Sequence, residues 1–337
     1  MHIIIIHKIK GGKMINKITK IFVTLFFILS STATVFAETT IRIASVSGPS
    51  HHHNTALKWF ADKINKQKIG LNIKVLSGGQ LGNSEREYIE GMQQGSIQMA
   101  QVSTGPMAGF VGEYDIFSLP YMFRDTEHFE KVLSGPVGDK FLAMLDSKGM
   151  KGLAWFDNGY RNMFNNKKPV NEPSDMAGLK IRVMKSPLMV NTVNAMGGSA
   201  TPMAYGELYS ALKQGVLDGG ENAAGNVLND KFFEVSKYYS ITQHFRPPGI
   251  VVMSKKTWNT LNASQQKAIT KAAADLQSYE IKLTTKVVNQ AMIDLKAQGM
   301  IVNKANVSAF AAAVKPVYKS YSDKYGSTMI DAILNTK

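Results

Sequence analysis

The chain has 337 residues, 44% hydrophobic and 19% charged, which is enough for one large domain or two ordinary ones with a sizeable core. The absence of cysteine excludes disulfides, thiolate metal sites, a cysteine nucleophile and a lipoprotein anchor, which needs a cysteine behind its signal. The formal net charge of +14 is carried by scattered lysines rather than a basic patch with aromatic platforms, so nucleic acid is not an expected partner.

The first element is an export signal. Lys17 and Lys20 form its basic region, Ile21–Leu29 its apolar core, and Val35-Phe36-Ala37 a small-x-small cleavage site before Glu38. The apolar run is shorter than the ~18 residues that span a bilayer as a helix. Met14 alone would open a signal of ordinary length, so residues 1–13 are expected to be translated leader. Five of the 39 basic residues and no acidic one precede Glu38, which leaves 34 against 25, a net of about +9. A surplus of that sign attracts small anions and raises their association rate. The mature chain is expected to be free in the periplasm and monomeric.

From Thr40 the pattern alternates strand and helix at short spacing. Ile41–Val46 reads as a strand running into Ser47-Gly48-Pro49-Ser50, and Asn54–Gln67 has helical periodicity through Leu57, Phe60, Ala61 and Ile64. Leu71, Ile73 and Val75 alternate as a second strand; Ser84 caps a helix that runs to Gln94 and stops at Gly95; Ile97–Val102 is a third strand. Repeated βα units predict a mainly parallel sheet with helices on both faces, and such sheets bind ligands at the carboxyl ends of their strands.

A second unit of the same kind runs from Gly159 to about Arg246. Leu179, Ile181 and Val183 alternate with Lys180 and Arg182, which leaves Arg182 on the face opposite the apolar three. Helices follow at Leu188–Met196 and Glu207–Gln214, and Val216–Gly220 is the next strand. The two units face each other across a cleft, with crossings at Asn158-Gly159-Tyr160 and Pro247-Pro248-Gly249, both turn-rich and suited to hinges. After Leu261, Asn262 and Gln265 make a capping box, and helix formers continue to Gln298 with Gly299 as the stop. This helix is on the order of 50 Å long, enough to cross both units, with Ile269, Ala273, Leu276, Leu283, Val287 and Leu295 as its buried stripe.

GLKIRV (Gly178–Val183) and GGSATPMAYGELYSALKQGVLDGGEN (Gly197–Asn222) resemble the signature of the DctP family, the extracytoplasmic solute-binding subunits of TRAP transporters. GGQLGNSEREYIEGMQQGSIQMA (Gly78–Ala100), FSLPYMFRD (Phe117–Asp125), GYRNMFNNKKPV (Gly159–Val170), KFFEVSKYYSITQH (Lys231–His244) and SKKTWNTLNASQQ (Ser254–Gln266) extend the match over the mature chain. The resemblance implies an α/β, two-domain periplasmic-binding-protein (Venus-flytrap) fold with a domain-spanning helix. The expected division is 38–159 with 248–287 as domain I and 160–247 with 288–337 as domain II. It also implies capture of a small organic acid and delivery to the small and large subunits of a membrane permease. The branch that the motifs resemble most binds uronates and related sugar acids; a C4-dicarboxylate or short hydroxy or oxo acid is the alternative.

For the site, the resemblance implies that Arg182 grips the ligand carboxylate, whose planar shape a guanidinium matches with two parallel hydrogen bonds. Arg161 matches a second family arginine, Asn222 an asparagine that bonds ligand oxygens, and Tyr205 an aromatic that packs on the ligand. Plainer roles stand beside each of these: surface or internal ion pairs for the arginines, a helix cap for Asn222, and core packing for Tyr205. Ser103 falls where some members carry a glutamate, so a sialic-acid-like specificity is not implied. Glu85 and Arg86 open a helix facing the cleft, and both read more readily as solvated charges than as ligand contacts, with Arg86 kept as a candidate contact. His51 is a further candidate lining residue. The run His51-His52-His53 raises zinc, but adjacent side chains diverge and no spaced Asp, Glu or His set accompanies it, so neither a metal nor any other cofactor is expected. The chain carries no GxSxG, Walker A, HExxH or strand-linked GxGxxG, and an enzyme acting on a sugar acid is the weaker alternative.

Overall fold

The computed structural model describes residues 38–337, so the export signal and the Met14 start lie outside the described residues. Two sheets organise the chain. The first has the order β2-β1-β3-β10-β4, with β1 Thr39–Ala44, β2 Leu71–Leu76, β3 Met99–Ser103, β4 Met150–Phe156 and β10 Gly249–Ser254. The second has the order β11-β9-β5-β8-β6-β7, with β5 Arg161–Asn165, β6 Lys180–Val183, β7 Ser199–Pro202, β8 Gly219–Asn222, β9 Tyr238–Phe245 and β11 Ile301–Lys304.

β1 pairs in parallel with both β2 and β3, as βα repetition requires. The expectation of mainly parallel sheets needs correcting beyond that core. β10 returns from the second sheet and therefore runs antiparallel to β3 and β4. In the second sheet β5 is antiparallel to both β8 and β9, while β6 is parallel to β7 and β8. The chain crosses between sheets at residues 157–160 and again at 246–248.

Local chemistry explains the elements that matter for the site. Ser84 accepts a hydrogen bond from the Glu87 amide and caps the helix Glu85–Gln94, which ends at left-handed Gly95. This fixes Glu85 at the first helical position, beside the end of β3. β8 is read too early by its apolar residues: the sequence suggests Val216–Gly220, whereas the paired residues are Gly219–Asn222. A Cβ on Gly219 would sit 2.1 Å from the Phe164 carbonyl oxygen, and one on Gly220 2.8 Å from the Phe164 ring. Only glycine lets β8 lie that close to β5.

The helix Ala263–Ala297 closes the assembly. Its capping box is formed as expected: Asn262 accepts from the Gln265 amide and Gln265 from the Asn262 amide. Ile269, Ala272, Ala273 and Leu276 pack with the helix His52–Asn65 and the first sheet, while Ala291 and Leu295 pack with the second. Between them the buried face turns polar at Glu280 and Thr284, in place of the continuous apolar stripe that the sequence suggests. The helix Thr328–Leu334 lies against Pro136–Met144, and Arg124 donates to the Leu334 and Thr336 carbonyls. Among the described residues no helix is long and apolar enough to cross a membrane.

Candidate functional site

Three strands of the second sheet, β5, β8 and β6, lie side by side and carry Arg161, Glu221 with Asn222, and Arg182. Ile181 and Val183 face the core, and Arg182 is left on the other face, as the alternation predicts. Arg161, Asn222 and Arg182 form one wall of a cavity with about 410 Å³ of space, open solvent at its mouth included. The opposite wall comes from the first sheet and the segments that follow its strands: Ser47, His53, Glu85, Gln101 and Ser103. The walls approach closely, since a Cβ on Gly206 would lie 2.8 Å from the Asn83 carbonyl oxygen.

The two arginines differ in what they have left to give. Arg161 is 3% exposed and is consumed by its neighbours. Its Nε and Nη2 donate to the Glu221 carboxylate, Nη2 also to the Glu221 carbonyl, and Nη1 to Asn222 Oδ1 at 2.8 Å. Burial works against its charge, but the paired Glu221 carboxylate outweighs that and holds the guanidinium above its ordinary value. Arg182 is 2% exposed, and its Nε and Nη2 both donate to the Met203 carbonyl, at 2.9 and 2.7 Å. Its Nη1 is buried with no hydrogen-bond partner among the described residues. Burial first, and the repulsion of Arg161 after it, pull this guanidinium down to about 10 despite the nearby Glu221. A buried donor left unpaired costs about 1–3 kcal/mol.

Asn222 Oδ1 accepts from Arg161, from the Ala223 amide at 2.9 Å and from Asn226 Nδ2 at 2.8 Å. Its carbonyl side is therefore saturated, while its NH2 meets only the Tyr205 hydroxyl at 3.5 Å and is free to bond an oxygen in the cavity. Tyr205 donates to Asp230 Oδ2 at 2.5 Å and lies under the Arg182 guanidinium, 5.7 Å from its ring centre. Facing them, Glu85 Oε1 accepts from the Ser103 amide and hydroxyl, at 2.9 and 3.0 Å. Burial pushes the Glu85 carboxyl up, and the two Ser103 bonds and the charges of Arg182 and Arg161 pull it back.

Of the residues singled out from sequence, Arg182, Arg161, Asn222, Tyr205 and Ser103 come together in this cavity. Arg86 does not. Its exposed side chain pairs with Glu90 at 2.9 Å and lines an adjoining cavity with Lys185, which shares Glu85, Arg182 and Tyr205 with the first. His51 is also outside the lining, since its ring lies behind Asn226 and it is His53 that reaches the cavity. The three histidine rings do not diverge as expected of neighbours in sequence; their centroids lie 4.3–4.6 Å apart because His51 is the helix cap and turns its ring back over the first turn. Both nitrogens of His51 are engaged, one by the His53 amide and the other by Asn226, so the cluster is not arranged as a set of three free ligands. Among the other lining residues, sequence reasoning singles out Glu85 as a cleft-facing acid in the first turn of its helix and does not find Gln101, Asn158 and Asn226.

The family model for bacterial extracellular solute-binding protein, family 7, matches residues 43–324. A solute-binding protein of Verminephrobacter eiseniae is 34% identical over 303 residues, covering 89% of this chain and 90% of that protein. A TRAP periplasmic solute-binding protein from Polaromonas sp. JS666, solved with D-erythronate, superposes with a TM-score of 0.86 at 34% identity, covering 89% of this chain and 99% of that one. Another, from a Bradyrhizobium species and in complex with galacturonate, gives 0.84 at 36% identity, covering 88% and 100%. These relatives are transport proteins rather than enzymes, and with them the present chain belongs to the DctP family of TRAP-transporter solute-binding proteins.

Proposed function

We propose that this protein, exported by its N-terminal signal, captures a hydroxylated monocarboxylic acid of the sugar-acid class in the periplasm and delivers it to a TRAP membrane permease. The observation that carries the reading is the pairing, in one cavity, of the unpartnered Arg182 Nη1 with the Glu85 carboxylate on the facing wall. The ligand carboxylate meets Arg182 and the Asn222 NH2. Its hydroxyls then donate to Glu85, which repels a second carboxylate placed there. D-erythronate and galacturonate, the molecules bound by the two neighbours, both have one carboxylate and several hydroxyls.

Binding is a shift between open and closed arrangements, because a ligand that touches both walls favours the state in which both are within reach. We assign the bending to residues 157–160 and 246–248, between a lobe of 38–159 with 248–287 and a lobe of 160–247 with 288 to about 304. The tail beyond is placed as a brace across both. Asp157 and Arg246, ion-paired at 2.7 Å, tie the two crossings together.

A second reading, a dicarboxylate, has its own support in Arg86 and Lys185, which line the adjoining cavity next to Arg182. A thermal-shift comparison separates the two. Mature protein stripped by unfolding and refolding should be stabilised by D-galacturonate or D-erythronate, by about 4 kcal/mol at ~1,000 times the dissociation constant, and far less by succinate. A larger shift with succinate would favour the second reading, and no shift with any organic acid would remove both.

A further inference from the structure

A chain of forced hydrogen-bond polarities runs from Arg161 through the site and out of it. Arg161 has only N–H groups to offer, so the Asn222 atom facing it must be the carbonyl oxygen. That oxygen also accepts from Asn226, so Asn226 turns its NH2 toward Asn222 and its own oxygen away. The Asn226 oxygen faces His51 Nε2 at 3.0 Å, which must therefore carry the proton. His51 Nδ1, left as the acceptor, takes the His53 amide at 3.1 Å and so caps the helix His52–Asn65. His51 follows β1 of the first sheet; Asn226 follows β8 of the second. The relay thus crosses the gap between the walls. Asn229 meets His52 Nδ1 at 3.3 Å and Asp230 accepts from the Gly48 amide at 3.3 Å beside it.

We propose that Asn226, which lines the ligand cavity and orients Asn222, is also a positioning residue that latches the closed arrangement by accepting the His51 Nε2–H across the cleft, so that this contact sets how long the protein stays shut. The proposal rests on the solute-capture reading above. It follows from geometry that His51 has two separable duties. Nδ1 holds the helix cap on its own lobe, and Nε2 holds the other lobe. Asparagine places its amide where Nδ1 stands and glutamine where Nε2 stands, so the two variants divide the duties.

The test uses the cysteine-free chain, which accepts spin labels only where cysteines are introduced. Labels at Lys66→Cys and Lys213→Cys, one exposed residue near each sheet, report the distance between lobes by pulsed electron resonance, with and without saturating D-galacturonate. His51→Asn and Asn226→Leu are expected to lower the closed-to-open ratio and raise the dissociation rate of the acid about tenfold, the worth of one net buried hydrogen bond. His51→Gln is expected to keep wild-type distances and release rate while losing stability at the cap. The double variant His51→Asn/Asn226→Leu should be no worse than either single one. Equal distance distributions in all of these proteins, or His51→Gln behaving like His51→Asn, would overturn the latch. Wild-type distances indifferent to the acid, with the lowered closed-to-open ratio of His51→Asn still present, would overturn the ligand reading and leave the latch standing.

Discussion

Removing Arg161 and removing Arg182 should leave opposite signatures, because one arginine is satisfied within the protein and the other is not. Arg161→Ala strands the Glu221 carboxylate, which has no solvent exposure, and should destabilise the fold by about 3–5 kcal/mol. Arg182→Ala loses two bonds to the Met203 carbonyl and the attraction of Glu221, but also removes a buried unpaired donor and the repulsion of Arg161, so stability in urea should change by no more than about 1 kcal/mol. Binding of the acid should meanwhile weaken by on the order of a hundredfold, since charge-assisted bonds are worth about 1.5–3 kcal/mol each. Equal destabilisation by the two substitutions would mean that Arg182 is structural. Much of this was legible in the residues, since the alternation Leu179-Lys180-Ile181-Arg182-Val183 already put Arg182 off the core face. An internal ion pair for Arg161 is legible, but that Glu221 and Asn222 are its partners is not, because sixty residues separate groups that only the antiparallel pairing of β5 with β8 makes neighbours. Glu85 reads more readily as a solvated charge than as a ligand contact for the same reason: nothing in its own helix shows that the end of β3 will cover it and supply two donors.

At the scale of the element, the site depends on how near β8 lies to β5. Gly220→Ala would place a methyl 2.8 Å from the Phe164 ring, and overpacking of this kind costs about 1–3 kcal/mol. Because Glu221 and Asn222 follow directly, the displaced strand should also weaken ligand binding; calorimetry on the variant checks it, and unchanged affinity together with unchanged stability would show that the strand has room. Elements whose ends are set by caps were read closely from sequence, namely Ser84 to Gly95 and Asn262 to Gly299, since capping is a local interaction. β8 was displaced and the antiparallel course of β10 was missed. Strand ends and directions are fixed by partners far along the chain, and glycines carry no apolar signal.

At the scale of the whole molecule, the buried histidines make stability depend on pH. Burial lowers His51, His52, His53 and His244, the last to about 3 with the charge of Arg161 assisting. The folded state then refuses protons that the unfolded chain accepts from about pH 6.5 downward, so this stability is present above 6.5 and is lost as pH falls. His244 alone should account for about 2 kcal/mol between pH 6.5 and 5. Glu280 and Glu85, raised mainly by burial, act the other way, costing stability as pH rises above about 4.5. Urea unfolding at the two pH values should show His244→Asn, which keeps an acceptor-capable group near Thr242, losing about 2 kcal/mol less than wild type on acidification. An equal loss would place a proton-accepting route at His244 that burial denies it.

The most direct measurement is isothermal titration of the stripped mature chain, from Glu38 onward, with D-galacturonate and D-erythronate, followed by recovery of the ligand. One molecule should bind per chain, be recovered unchanged, and bind the Arg182→Ala protein more weakly by on the order of a hundredfold. No binding of either acid to the wild type, or equal binding to the Arg182→Ala protein, would contradict a sugar acid held by its carboxylate between two walls.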